Sequence, residues 1–133
     1  MQIRLHHISL PCSDLEASRR FYTDIAGLTE FERPKRAYEG AWFRINDAQE
    51  LHLIHGNPGA TYRGAKSLDN DDVHFAFAVD VCAAMLERLR SHGYRDDAGL
   101  EGPLSMIVRN VHGFVHLFVF DPDRHVIEFN SKF

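Results

Sequence analysis

A chain of 133 residues, 44% hydrophobic and 26% charged, has enough apolar material for one compact domain of ordinary size. Its formal net charge of -4 leaves no basic footprint for nucleic acid or for an anionic membrane surface. No stretch approaches the roughly 18–20 apolar residues that cross a bilayer, and no signal-peptide core precedes the first strand pattern, so a cytoplasmic protein is expected.

The first element is an alternating strand opened by a histidine, His7-Ile-Ser-Leu-Pro-Cys. A capping-box pattern, Ser13-Asp-Leu-Glu16, starts a helix. Its apolar side is Leu15, Phe21, Tyr22 and Ile25, and Gly27 ends it. A strand is expected around Leu28–Arg33. A hairpin follows over Phe43 to Leu53, turning at Asn46-Asp47. Residues 56–71, rich in Gly, Asn, Asp and Ser, read as a linker. The pattern then restarts. His74-Phe-Ala-Phe-Ala-Val is a histidine-opened strand, and a helix starting near Asp80 carries Ala83, Leu86 and Leu89 and stops at Gly93. A strand around Leu104–Val108 precedes a second hairpin, Val119 to Phe129, with an Asp-Pro-Asp turn. The chain is written twice. Each half reads β-α-β-β-β, with module one at 1–55, the linker at 56–71 and module two at 72–133 of a single domain. The fold class is α+β, two βαβββ modules forming a cupped mixed sheet.

Strand side chains alternate faces, so positions can be sorted. Ile8 and Leu10 share one face, leaving His7 and Ser9 on the other. Phe75 and Phe77 likewise oppose His74. Overlaying the two hairpin turns places His52 on Glu128, both facing away from the bulky apolar side on which a helix can sit. His7, His52, His74 and Glu128 therefore project from the face the helices leave open. Imidazole and carboxylate are the usual ligands of borderline divalent ions, and three ligands on rigid strands leave coordination positions open. Glu50 shares the face of His52 and is a further carboxylate candidate. Trp42 and Phe43 are neighbours in one strand, so one enters the core and the other can wall a pocket. Arg33, Arg36 and Arg109 can pair with a substrate carboxylate, with Tyr38 and Tyr62 as weaker candidates. His112 and His116 read as structural, or as partners of the ligands. His6, His55, His92 and His125 fall on opposite faces or at element ends. Cys12 and Cys82, without CxxC spacing, suggest neither a disulfide scaffold nor a zinc knuckle.

The block from Leu5 to Leu28 resembles the opening module of the vicinal oxygen chelate superfamily, which holds glyoxalases, bleomycin resistance proteins and extradiol dioxygenases. Gly40-Ala-Trp-Phe, Glu50-Leu-His-Leu-Ile, Val73-His-Phe-Ala-Phe and Asp121-Pro-Asp-Arg-His-Val-Ile-Glu-Phe extend the likeness over nearly the whole chain. The resemblance implies a divalent metal ion (Ni, Co, Zn, Mn or Fe) on His7, His74 and Glu128, with His52 at the fourth position. It also implies a small-molecule substrate and a homodimer. The activity it implies first is a glyoxalase-I-like lyase or isomerase that stabilises an enediolate of a small carbonyl substrate, with Glu128 or Glu50 moving the proton. Alternatives are an Fe(II) extradiol dioxygenase, a thiol transferase acting on an epoxide antibiotic, and a non-catalytic drug-binding protein. Two departures from the family pattern stand out. Histidine at position 52 replaces the glutamate of glyoxalase I. Arg124 occupies a turn position usually held by glycine, at a cost on the order of 1 kcal/mol if its φ is positive.

Overall fold

The computed structural model describes residues 1–132 and contains two four-stranded mixed sheets. The residues divide into two compact units, Met1–Tyr62 and a second from Arg63 onward.

In the first unit the elements are β1 (His7–Cys12), α1 (Leu15–Arg20), β2 (Thr29–Phe31), β3 (Glu39–Arg44) and β4 (Glu50–His55). The sheet order is β1-β4-β3-β2, with β1 parallel to β4 and the remaining pairs antiparallel. The cap of α1 is Asp14, one residue beyond the expected Ser13. Its carboxylate accepts from the Ala17 amide at 3.0 Å, satisfying one of the open N–H groups of the first turn. Past Arg20 the helix widens to π geometry over Phe21–Ile25, with Ala26 N–H reaching the Phe21 carbonyl at 3.0 Å. Gly27, at φ 76°, ends it. The turn buries Phe21, Tyr22 and Ile25 against the sheet side carrying Phe43, Leu51 and Leu53. Trp42, the neighbour of Phe43, lies on the other side.

The second unit repeats the order with β5 (His74–Ala78), α2 (Cys82–Ser91), β6 (Met106–Val111), β7 (Phe114–Phe120) and β8 (Val126–Lys132). Its sheet runs β5-β8-β7-β6, with β5 parallel to β8. The helix starts two residues later than expected and lacks a side-chain cap of its own. The Cys82 amide instead donates to Ser131 Oγ on β8 at 3.1 Å, which ties the helix start to the sheet. Phe77, Cys82, Leu89, Leu117, Ile127 and Phe129 form the core on this side. Cys12 and Cys82 are both buried thiols without a disulfide. Among the described residues, no helix is long and apolar enough to cross a membrane.

Residues 63–71, expected to be part of a linker, belong to the second unit. Leu68 is 1% exposed and packs with Phe118, Phe120 and Val126. Arg63 fixes the segment. Its guanidinium donates to Asp72 Oδ2 at 2.7 Å and to the Ser67 carbonyl at 2.9 Å. Bonds from Lys66, from the Val73 amide and from Arg63 hold the Asp72 carboxyl well below the usual carboxylate range. This strap therefore lies on the sheet face opposite α2, the face that also carries Glu128.

The Asp-Pro-Asp turn keeps its expected shape. Asp121 Oδ1 accepts from the amides of Asp123 at 3.0 Å and His125 at 2.9 Å. Arg124 does adopt a left-handed conformation, φ 65°. Its side chain offsets the strain. The guanidinium lies 4.2 Å from the Phe120 ring centre and donates to the Lys66 carbonyl at 2.8 Å and the Glu101 carbonyl at 3.2 Å. Glycine at 124 would relieve about 1–2 kcal/mol of backbone strain. It would also remove a cation–π contact worth about 0.5–2 kcal/mol and charge-assisted hydrogen bonds of about 1.5–3 kcal/mol. Arg124→Gly is thus expected to lower the urea midpoint; a raised midpoint would show that the strain outweighs the contacts.

Candidate metal centre

The sheet registers establish the equivalence of the two halves residue by residue. Ser9 pairs with His52 across β1 and β4, and Ala76 pairs with Glu128 across β5 and β8. Trp42 faces His52, and Phe118 faces Glu128. His7 and His74 each stand two residues before those pairs. Directly paired residues share a sheet face, so each unit carries one His-based cluster on the side away from its helix.

In the second unit the cluster is tight. His74 Nδ1 lies 2.7 Å from the Asp72 carbonyl oxygen, and its Nε2 lies 3.0 Å from Glu128 Oε2. A carbonyl only accepts, so the ring proton sits on Nδ1 and the Nε2 lone pair faces a carboxylate oxygen. Two acceptors meet there. Only a second ring proton or a cation between them makes the approach favourable. Donors held about 2.1 Å from one ion at a right angle would stand about 3.0 Å apart, so the pair fits two adjacent coordination positions. The other carboxylate oxygen is fully engaged: His116 Nδ1 approaches Glu128 Oε1 at 2.6 Å and Asn130 Nδ2 donates to it at 2.9 Å. Burial alone would raise the Glu128 carboxyl; the hydrogen bonds from Asn130 and His116 and the nearby imidazoles outweigh it and hold the group below its ordinary value. Glu128, 6% exposed, is therefore an ionised carboxylate with one oxygen tied and one presented.

The first unit is built differently. His52 is sandwiched between aromatic rings, with Trp42 on one side (centroids 4.3 Å apart, 12° between planes) and His7 on the other (4.3 Å, 17°). Its Nε2 sits 2.7 Å from Glu50 Oε2. Burial is the largest influence on His52 and, with His7 and His6 close by, lowers its basicity despite the Glu50 carboxylate. Glu50 is held below its ordinary value chiefly by the His52 hydrogen bond. Stacked imidazoles direct their lone pairs along parallel planes, so His7 and His52 do not converge in this arrangement. His6, expected on the opposite face, places Nδ1 2.9 Å from His7 Nδ1 because β1 begins only at His7.

Among the described residues, no three His, Cys, Asp or Glu side chains are arranged to hold a metal ion. His116 does not complete a set with His74 and Glu128, because it addresses the opposite carboxylate oxygen. It is the residue that sequence reasoning left undecided; the hairpin register, which pairs it with Asn130 beside Glu128, is the signal that places it. Arg33, Arg36 and Tyr38 line a cavity of about 940 Å³ in the first unit together with His55. Arg36 also lies 5.8 Å from the Trp42 ring centre.

A family profile described as the Glyoxalase/Bleomycin resistance protein/Dioxygenase superfamily matches residues 4–129, and the chain belongs to that superfamily. A lactoylglutathione lyase of Salmonella typhimurium is 31% identical over 135 aligned positions, covering 95% of this chain and 90% of the relative. Glyoxylase I 4 of Arabidopsis thaliana is 22% identical, covering 93% and 68%. Among solved structures, a glyoxalase family protein of Bacillus anthracis superposes with a TM-score of 0.72 at 20% identity, covering 100% of this chain and 98% of that one. A fosfomycin resistance protein of Listeria monocytogenes, solved with Mn(II) and a dihydroxypropylphosphonic acid, gives 0.68 at 19% identity and covers 100% and 95%. These likenesses establish the glyoxalase fold.

Proposed function

We propose that the chain is a cytoplasmic, divalent-metal-dependent lyase or isomerase of glyoxalase type, acting on a small carbonyl compound. The observation that carries this reading is His74 Nε2 facing the ionised Glu128 carboxylate at Oε2, 3.0 Å away, a nitrogen and an oxygen ligand type at the spacing of two adjacent coordination positions. The likeness to lactoylglutathione lyase supports the reaction class. His74 and Glu128 would hold the ion; His7 and His52 are proposed as further ligands on the sequence repeat and the family likeness alone, and their rings would have to turn out of their stack to serve. Ni, Co, Zn, Mn and Fe all suit such a set. When bound, the ion supplies Lewis-acid polarisation of a substrate oxygen.

The chain's own groups would do the rest. Glu128 Oε1 stays anchored by His116 and Asn130, so Oε2 is the oxygen that would take a proton, and it would have to leave the ion to do so. Glu50 is the second candidate for moving a proton, ionised and aligned by His52. Trp42 offers a flat apolar wall beside His52. The same family likeness leads us to propose a homodimer, for which light scattering in solution is the direct check.

The test is turnover of hemithioacetals by protein stripped of metal and reloaded with each candidate ion in turn, with exchange of the substrate α-proton against solvent deuterium followed by NMR. Exchange that depends on the added ion is expected. Its absence with every ion and every hemithioacetal would overturn the assignment.

A further inference from the structure

We propose that His116 is the positioning residue that makes Glu128 a one-oxygen metal ligand. The inference rests on the reading that Glu128 ligates the ion. It goes beyond that reading by naming what fixes the ligand's mode.

The comparison between the two halves is the first argument. His116 pairs with Asn130, as Gly40 pairs with Ile54 in the first unit. In the unit whose last strand carries a histidine, these flanking positions are glycine and isoleucine. In the unit whose last strand carries the carboxylate, both are hydrogen-bond donors. Position 40 could not hold an imidazole in any case: a Cβ there would meet the Leu53 carbonyl oxygen at 2.1 Å. The polar pair therefore occurs only where there is a carboxylate to hold.

The second argument is geometric. Both donors address the same oxygen, Oε1, at 2.6 Å from His116 and 2.9 Å from Asn130. A carboxylate only accepts, so His116 Nδ1 carries its proton, and the ring is steadied by Phe114 at 4.9 Å and Phe118 at 6.3 Å between centroids. An ion chelated by both oxygens would have to displace these two donors. With them in place, only Oε2 is presented, and it is presented toward His74. Such outer partners orient a ligand before the metal arrives.

Co(II) titration, followed by the visible absorption of the ion and by competition with a chelator, tests this on the full chain. His116→Phe keeps an aromatic ring but removes the donor. His116→Asn places an amide N–H near the position of Nδ1. Loss of about 10–100-fold in Co(II) affinity is expected for His116→Phe, with a changed absorption band, and recovery to within about threefold of the parent for His116→Asn. Should His116→Phe not fold, His116→Leu reads the same loss. Parent-like affinity and spectrum in the donor-less variant would overturn the inference alone, as would an Asn variant as weak as the Phe variant. A parent protein that takes up no Co(II) would overturn the reading of Glu128 as a ligand, and this inference with it.

Discussion

Glu128→Gln is expected to abolish divalent-metal binding while leaving the metal-free protein at least as stable as the parent. The two effects separate because the amide is isosteric. Its oxygen can keep the bonds from His116 and Asn130, and its NH2 can donate to a neutral His74 at Nε2, which now lies 3.0 Å from the carboxylate. Charge, needed only by the cation, is what disappears. Loss of metal affinity of at least about 100-fold is the expected scale for removing an ionic ligand, against 10–100-fold for an outer partner. Thermal unfolding of chelator-treated protein provides the complementary readout. If His74 were instead a permanent imidazolium neutralising Glu128, the amide would break a charge-assisted bond and lower stability by about 1.5–3 kcal/mol. The sign of the change in Tm therefore distinguishes a site awaiting a cation from a closed ion pair.

Leu68→Ala is the second large effect. The side chain is 1% exposed and fills the space between Phe118, Phe120 and Val126 on the sheet face that carries Glu128. Removing a buried leucine side chain costs about 2–5 kcal/mol, the transfer term plus the cavity left behind. The loss should appear as a lowered urea midpoint of unfolding. Arg63 and Lys66 still pin the strap through Asp72, which limits collapse into the cavity and favours the upper part of that range. A variant within about 0.5 kcal/mol of the parent, the scatter of ordinary surface changes, would show that the strap contributes no packing.

The strap also shows where reading the sequence stops. The duplicated order of strands was legible because alternation with period two, a histidine at each opening and a glycine at each helix end recur in register. His52 and Glu128 fall at equivalent places for that reason. Leu68 carries no such signal: it is the one leucine of a stretch rich in Gly, Asn, Asp and Ser, and only packing reveals its partners. His116 was visible as a strand histidine, but its link to Glu128 depends on hairpin register, which one residue in the turn would shift. The helix cap moved from Ser13 to Asp14 because either short polar side chain can serve, and backbone geometry decides. The stack of His7 on His52 was out of reach, since face assignment says that two rings are neighbours and not how they are turned.

That stack has a practical consequence. Trp42 is the sole tryptophan of the chain, so all indole emission originates from one ring lying flat on His52. The protein carries its own optical gauge at the first unit's open face. Whatever engages that imidazole is registered by a single chromophore, with no label attached.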